Sequence, residues 1–193
     1  MARIPPKPLD HYPWYIRWFL RRQRRVYGEV LAPSWLWGRL PGAFLGMLGL
    51  LAVFQRRTYP VDARLRSLVS VRIAQLNGCD FCVDLNAYNY LKHAGDEDKA
   101  AHVSDWATFD GFSAAERAAL AWAEEVTERC SEIDEAVIKE LRQHYSDDAV
   151  TALTAWIGFQ NMSAKFNAAL GAQEHGFCSV PKQAGRKQSG ESG

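Results

Sequence analysis

Cys79 and Cys82 stand three residues apart in "NGCDFCVDLNAYNYLKHAG", and a thiol pair at that spacing opens three kinds of chemistry. On a helix, residues i and i+3 share a face, close enough for the two sulfurs to bond if the first turn allows it. A helix N-terminus offers unpaired N–H groups and the positive end of the helix dipole, which favour the reactive thiolate. A second thiol nearby can then resolve a sulfenic acid into a disulfide. The second possibility is metal: "CDFC" and "HGFC" (His175 to Cys178) together hold a Cys₃His donor set. Those two halves lie much further apart than in compact zinc modules. The third is plain burial; the remaining thiols, Cys130 and Cys178, read as buried or incidental. A thioredoxin setting needs a strand before the pair, and a c-type haem needs His directly after it; a helical pattern precedes Cys79 and Val83 follows Cys82.

The neighbouring side chains can be screened by helix geometry. Asn86, Asn89 and His93 follow Cys82 at spacings of 4, 7 and 11, along one stripe. Asn86 can reach the thiol region and orient a water or a peroxide oxygen. His93 lies roughly 16 Å further along the axis, too far for direct contact, and suits the helix C-terminus. Asp80 and Asp84 read as acids of the first turn. Phe81, between the thiols, reads either as the wall of an apolar pocket or as core. Asn161 and His175 are other polar groups that could arrive from elsewhere in the chain.

The elements that must position these residues all read as helices; alternating β-branched runs are nearly absent. "VDARLRSLVSVRIAQLNG" opens with Asp62 as N-cap, repeats apolar residues at helical spacing and stops at Gly78. The cysteine segment follows at once and ends at Gly95, a natural helix terminator. "SAAERAALAWAEEVTERC" carries a Ser113–Glu116 capping box, and "DEAVIKELRQHY" is a shorter amphipathic helix. "SDDAVTALTAWIGFQNMSAKFNAALG" runs from Ser146 as N-cap to Gly171. Trp122 and Trp156 fall in amphipathic patterns and read as core. Upstream, "YIRWFLRRQRRVYGEVL" and "LPGAFLGMLGLLAVFQRR" predict two helices broken near "APSW". The second is apolar almost all round, so other helices or another subunit should cover it.

The chain has 193 residues, 48% of them apolar, enough for one domain with a substantial core. Its net charge of +1 gives no global argument for nucleic acid. The charge is uneven: residues 1–57 hold ten Lys/Arg against two Asp/Glu. A basic, Trp-rich front half could touch a membrane surface or an acidic partner, although Arg stems lying along apolar surface explain it as well. No secretory signal is visible, and the uncharged run from Leu40 to Gln55 is shorter than the roughly 20 residues a spanning helix needs. A cytoplasmic protein is expected.

"LRSLVSVRIAQLNGCDFCVDLNAYNYLKHAG", with "FSAAERAALAWAEEVT" and "NMSAKFNAALG" downstream, resembles the alkylhydroperoxidase D-like, carboxymuconolactone decarboxylase family. The resemblance covers residues 25–178 and implies an all-α, single-domain helical bundle; by composition, 1–24 reads as a basic aromatic extension and 179–193, with almost nothing apolar to bury, as a disordered tail. It implies a homo-oligomer, a trimer or hexamer. It also implies a hydroperoxide substrate, an external dithiol or disulfide-relay reductant, and no cofactor or metal. Carried over, Cys82 matches the peroxidatic thiol and Cys79 the resolving one. The family's Glu position is Ser67 here and its His position is Asn86, neither of which can serve as a base near neutral pH. The site expected from sequence is therefore Cys82, Cys79, Asn86 and Ser67, in a peroxidase or disulfide oxidoreductase. Two alternatives stay open: a lactone decarboxylase-like enzyme without redox chemistry, and a binding or structural oligomer.

Overall fold

The computed structural model describes residues 3–178, so the tail expected at 179–193 lies outside the described residues. Among the described residues nine α-helices follow in order: α1 (Trp14–Tyr27), α2 (Ala32–Trp37), α3 (Pro41–Phe54), α4 (Ala63–Leu76), α5 (Asp80–Ala94), α6 (Glu97–Ala101), α7 (Ala114–Glu128), α8 (Glu135–His144) and α9 (Asp147–Ala169). No strand occurs among the described residues. The all-α expectation holds.

Local chemistry sets most of these boundaries. The side chains of Asp62, Ser113, Asp134 and Ser146 each accept a backbone N–H from the first turn of α4, α7, α8 and α9. Each satisfies a donor that the helix itself leaves unpaired. The Ser113–Glu116 capping box forms in both directions. Gly95 ends α5 in the left-handed region (φ 67°), where a side chain would strain the backbone. "APSW", read as a break, instead opens the short helix α2, with Pro33 in its first turn. Proline belongs there because its missing N–H would have no partner in any case.

α4 is the axis of the fold. Every residue from Leu65 to Val71 is buried. On one side Val69 and Ile73 pack with Trp122, Leu141, Leu153 and Ile157 from α7, α8 and α9. On the other, Leu68 and Val71 meet Tyr90 of α5 and Leu120 of α7. Each Leu or Ile buried this way stabilises the fold by roughly 1.5–3 kcal/mol. Trp122 and Trp156 are both core, as expected.

The front of the chain wraps this bundle. Ile16 and Leu20 of α1 pack against Trp37 and Phe44, and Trp37 stacks on Phe166 of α9 at 4.0 Å between ring centroids. Only Phe44 and Phe54 of α3 are buried; Leu45, Leu50 and Val53 stay exposed. The helices of this chain therefore do not provide the cover that α3's apolar circumference predicts. No helix among the described residues is long and apolar enough to cross a membrane.

Candidate functional site

The site is built where α4 hands over to α5. α4 closes at Asn77, Gly78 turns the chain in the left-handed region (φ 61°), and Cys79 caps α5. The Cys79 N–H donates back to the Ala74 carbonyl (3.0 Å). The Cys79 sulfur in turn accepts the Cys82 backbone N–H at 3.3 Å. A sulfur thus fills the position that Ser or Asp fills at other helix starts. Cys79 and Cys82 are joined as a disulfide, with 5.2 Å between their Cα atoms.

The two sulfurs differ in surroundings. Cys79 is almost completely enclosed, at 1% exposure. Cys82 lines a cavity of about 740 Å³ framed by α1–α5 and α9. Ser67 and Asn86 line the same cavity, so three of the four residues singled out from sequence share one space, with Cys79 directly behind. Neither the Ser67 hydroxyl nor the Asn86 amide bonds to another group among the described residues, which leaves both available to a ligand. Asn89 and His93 continue the stripe along the same wall. Phe81 is buried and also lines the cavity, so it serves as both wall and core.

One residue escaped the sequence reading. Asn167 of α9 is buried (2% exposed) and lines the cavity, and its Nδ2 donates to the Cys82 Sγ at 3.4 Å. Its Oδ1 has no hydrogen-bond partner. A buried amide oxygen left without a donor costs roughly 1–3 kcal/mol. Spacing from Ser146 shows that Asn167 belongs to a long helix; nothing in the sequence separates it from Asn161. Asn161 is fully employed elsewhere, accepting from Asn77 Nδ2 and donating to Thr127 Oγ1, both at 2.9 Å.

His175 does not reach the cavity either. Its Nε2 accepts the Ala32 N–H at 3.1 Å, so its Nδ1 carries the proton and donates to Glu29. Its ring lies edge-on to Phe81, 5.6 Å between centroids. Asp84 corrects the sequence reading more sharply. It is no first-turn acid facing water but a buried clasp. Its carboxylate accepts the backbone N–H groups of His175, Phe177 and Cys178 at 3.1, 3.0 and 2.7 Å. That clasp holds the 175–178 segment against the back of α5. Cys130 is exposed and Cys178 half-buried. Among the described residues, no three His, Cys, Asp or Glu side chains gather to hold a metal ion.

The family model for carboxymuconolactone decarboxylases matches residues 50–125, the stretch that contains α4, the turn at Gly78 and the cysteine pair. The chain is also 39% identical over 176 residues to YnjA of Escherichia coli K12, an uncharacterized protein, covering 91% of this chain and 97% of that one. The chain belongs to the carboxymuconolactone decarboxylase family. Its fold is shared with solved members of the alkylhydroperoxidase D-like group. An uncharacterized peroxidase-related protein from Ralstonia eutropha JMP134, described as an alkylhydroperoxidase AhpD core, superposes with a TM-score of 0.80. It is 20% identical, over 90% of this chain and 92% of that one. The apo debrominase Bmp8 superposes with a TM-score of 0.74 at 20% identity, over 89% and 91% of the two chains. Within this carboxymuconolactone decarboxylase fold, the peroxidase-related members share the bundle that here brings the cysteine pair to a cavity.

Proposed function

We propose that the protein is a thiol-dependent hydroperoxide reductase that cycles through the Cys79–Cys82 disulfide. The observation that carries this reading is the asymmetry of the pair: Cys82 faces a ligand-sized cavity, while Cys79 waits behind it within bonding distance. The Cys82 thiolate attacks the terminal oxygen of R–O–OH. The S–O bond forms as the O–O bond breaks, giving a sulfenic acid, and the departing alkoxide leaves as the alcohol with the thiol proton. The Cys79 sulfur then attacks the Cys82 sulfur, and the hydroxyl leaves as water. An external dithiol supplies the two electrons that reopen the disulfide.

Asn167 does what a base would do elsewhere in lowering the cost of the thiolate, since its Nδ2–H already points at the Cys82 sulfur. Ser67 and Asn86 offer a hydroxyl and an amide to the peroxide oxygens. Assembly as a homo-oligomer belongs to the same reading, supported by the apolar side chains of α3 that this chain leaves exposed.

The test is direct. The reduced protein is given one equivalent of an organic hydroperoxide, alkylated, and its cysteines are mapped by peptide mass. A rapid Cys79–Cys82 disulfide is expected, abolished in Cys82→Ser and replaced by a trappable Cys82 sulfenic acid in Cys79→Ser. Two thiols that stay reduced over many minutes would reject peroxide reduction.

A further inference from the structure

The cavity that holds Cys82 has no acid in its wall. Arg22, Arg66 and His93 line it, and no Asp or Glu does. Arg66 stands out among these. It is buried, at 7% exposure, yet it makes no ion pair among the described residues. One N–H of its guanidinium donates to the Val61 carbonyl at 2.5 Å. The group lies over the rings of Tyr59 and Trp156, 5.4 and 5.7 Å from their centroids. Asp62 is the nearby acid, but its carboxylate is engaged as the N-cap of α4. A guanidinium has five N–H donors in a planar fork, and among the described residues only one finds an acceptor. The Asp62 charge acts on Arg66 from beyond ion-pair distance, and a ligand carboxylate in a two-pronged contact with the guanidinium would add the close charge-assisted pair that is missing.

We infer that the cavity takes an amphipathic anion: an aliphatic hydroperoxide whose carboxylate pairs with Arg66 while its peroxide group reaches Cys82. This rests on the peroxidase reading and adds the substrate class to it. The apolar part of the lining, with Phe44, Met47, Leu51, Trp156 and Phe159, suits a hydrocarbon chain.

Two measurements test this. First, reduced wild-type protein is mixed with a C18 acid carrying its hydroperoxide at carbon nine or ten, and separately with the methyl ester of the same compound. The acid should form the disulfide at least ten-fold faster at sub-saturating concentration, and Arg66→Met should collapse that ratio towards one. Second, so that the test does not depend on the folding of Arg66→Met, the unaltered protein is heated with decanoate or methyl decanoate, neither of which can oxidise a thiol. Decanoate should raise the Tm by several degrees and the ester should not. Equal rates for acid and ester, with no effect of decanoate, overturn the anion site and leave peroxide reduction standing. Stabilisation by decanoate with no oxidation by either hydroperoxide keeps the anion site and rejects the peroxidase reading.

Discussion

Asn167→Leu separates chemistry from packing in this site. The amide is enclosed, donates to the Cys82 sulfur at 3.4 Å and carries a carbonyl oxygen with no partner. Leucine fills a similar volume without either polar atom. Removing the unpaired oxygen relieves a desolvation cost of roughly 1–3 kcal/mol, while the lost sulfur contact is a long one in the oxidised protein. The oxidised variant should therefore be as stable as the parent or more so, with an equal or higher denaturant midpoint. In the reduced protein the same contact becomes a hydrogen bond to a thiolate, worth roughly 1.5–3 kcal/mol. At 3.4 Å the lower end applies, and about 1.4 kcal/mol is a factor of ten. The variant should thus hold about ten-fold less Cys82 thiolate at neutral pH. The assay is the rate of Cys82 alkylation by iodoacetamide in a Cys79→Ser background, beside the rate of sulfenic acid formation with hydroperoxide. Both should fall about ten-fold together while stability holds. A variant that loses stability but alkylates at the parent rate would show that Asn167 is a packing residue and refute the assignment.

Other perturbations probe the frame around the site. Asp84→Asn keeps one acceptor oxygen but loses the charge, and should cost on the order of 2–3 kcal/mol. Hydrogen exchange should locate the damage at the His175, Phe177 and Cys178 amides. Leu153→Ala opens a void in the fully enclosed α4–α7–α9 core and should cost about 2–5 kcal/mol in chemical denaturation. Glu116 gives a pH dependence. Burial pushes its carboxyl up, but hydrogen bonds from Lys99 and Ser113 and the Lys99 charge outweigh it and hold the pKa below the ordinary value. A carboxyl lowered by folding stabilises the folded state above its unfolded pKa and loses that contribution as pH falls through the folded value. The parent should accordingly lose more stability than Glu116→Gln between neutral pH and pH 3, measured by urea midpoints.

The parts of the fold legible in the sequence are those decided locally. α4, α7, α8 and α9 begin where Asp62, Ser113, Asp134 and Ser146 stand, because an N-cap acts on its own first turn. The thiol pair was legible for the same reason: spacing on one helix places it. Asp84 was misjudged because its partners are backbone N–H groups of residues 175–178, which no local pattern announces. The roles proposed for Asn167 and Arg66 turn on an amide oxygen without a donor and a guanidinium without a close carboxylate. That is a property of packing across α1–α5 and α9, not of residue type. The α2 turn was missed because Pro33 stops a helix only from inside it and is welcome at its start.

α4 also bears on how mutational data for this protein should be interpreted. From Leu65 to Val71 all seven positions are buried, whereas α8 buries Leu141 alone. In a saturation scan scored by cellular abundance, α8 should alternate between tolerant and intolerant positions with the helical period, and α4 should give an unbroken intolerant band. Ser67 lies inside that band, so intolerance there reports enclosure whatever the hydroxyl does. Its contribution becomes visible only in a scan scored by the fate of the hydroperoxide, where Ser67→Ala and Ser67→Cys, close in size and easily housed, separate from their neighbours.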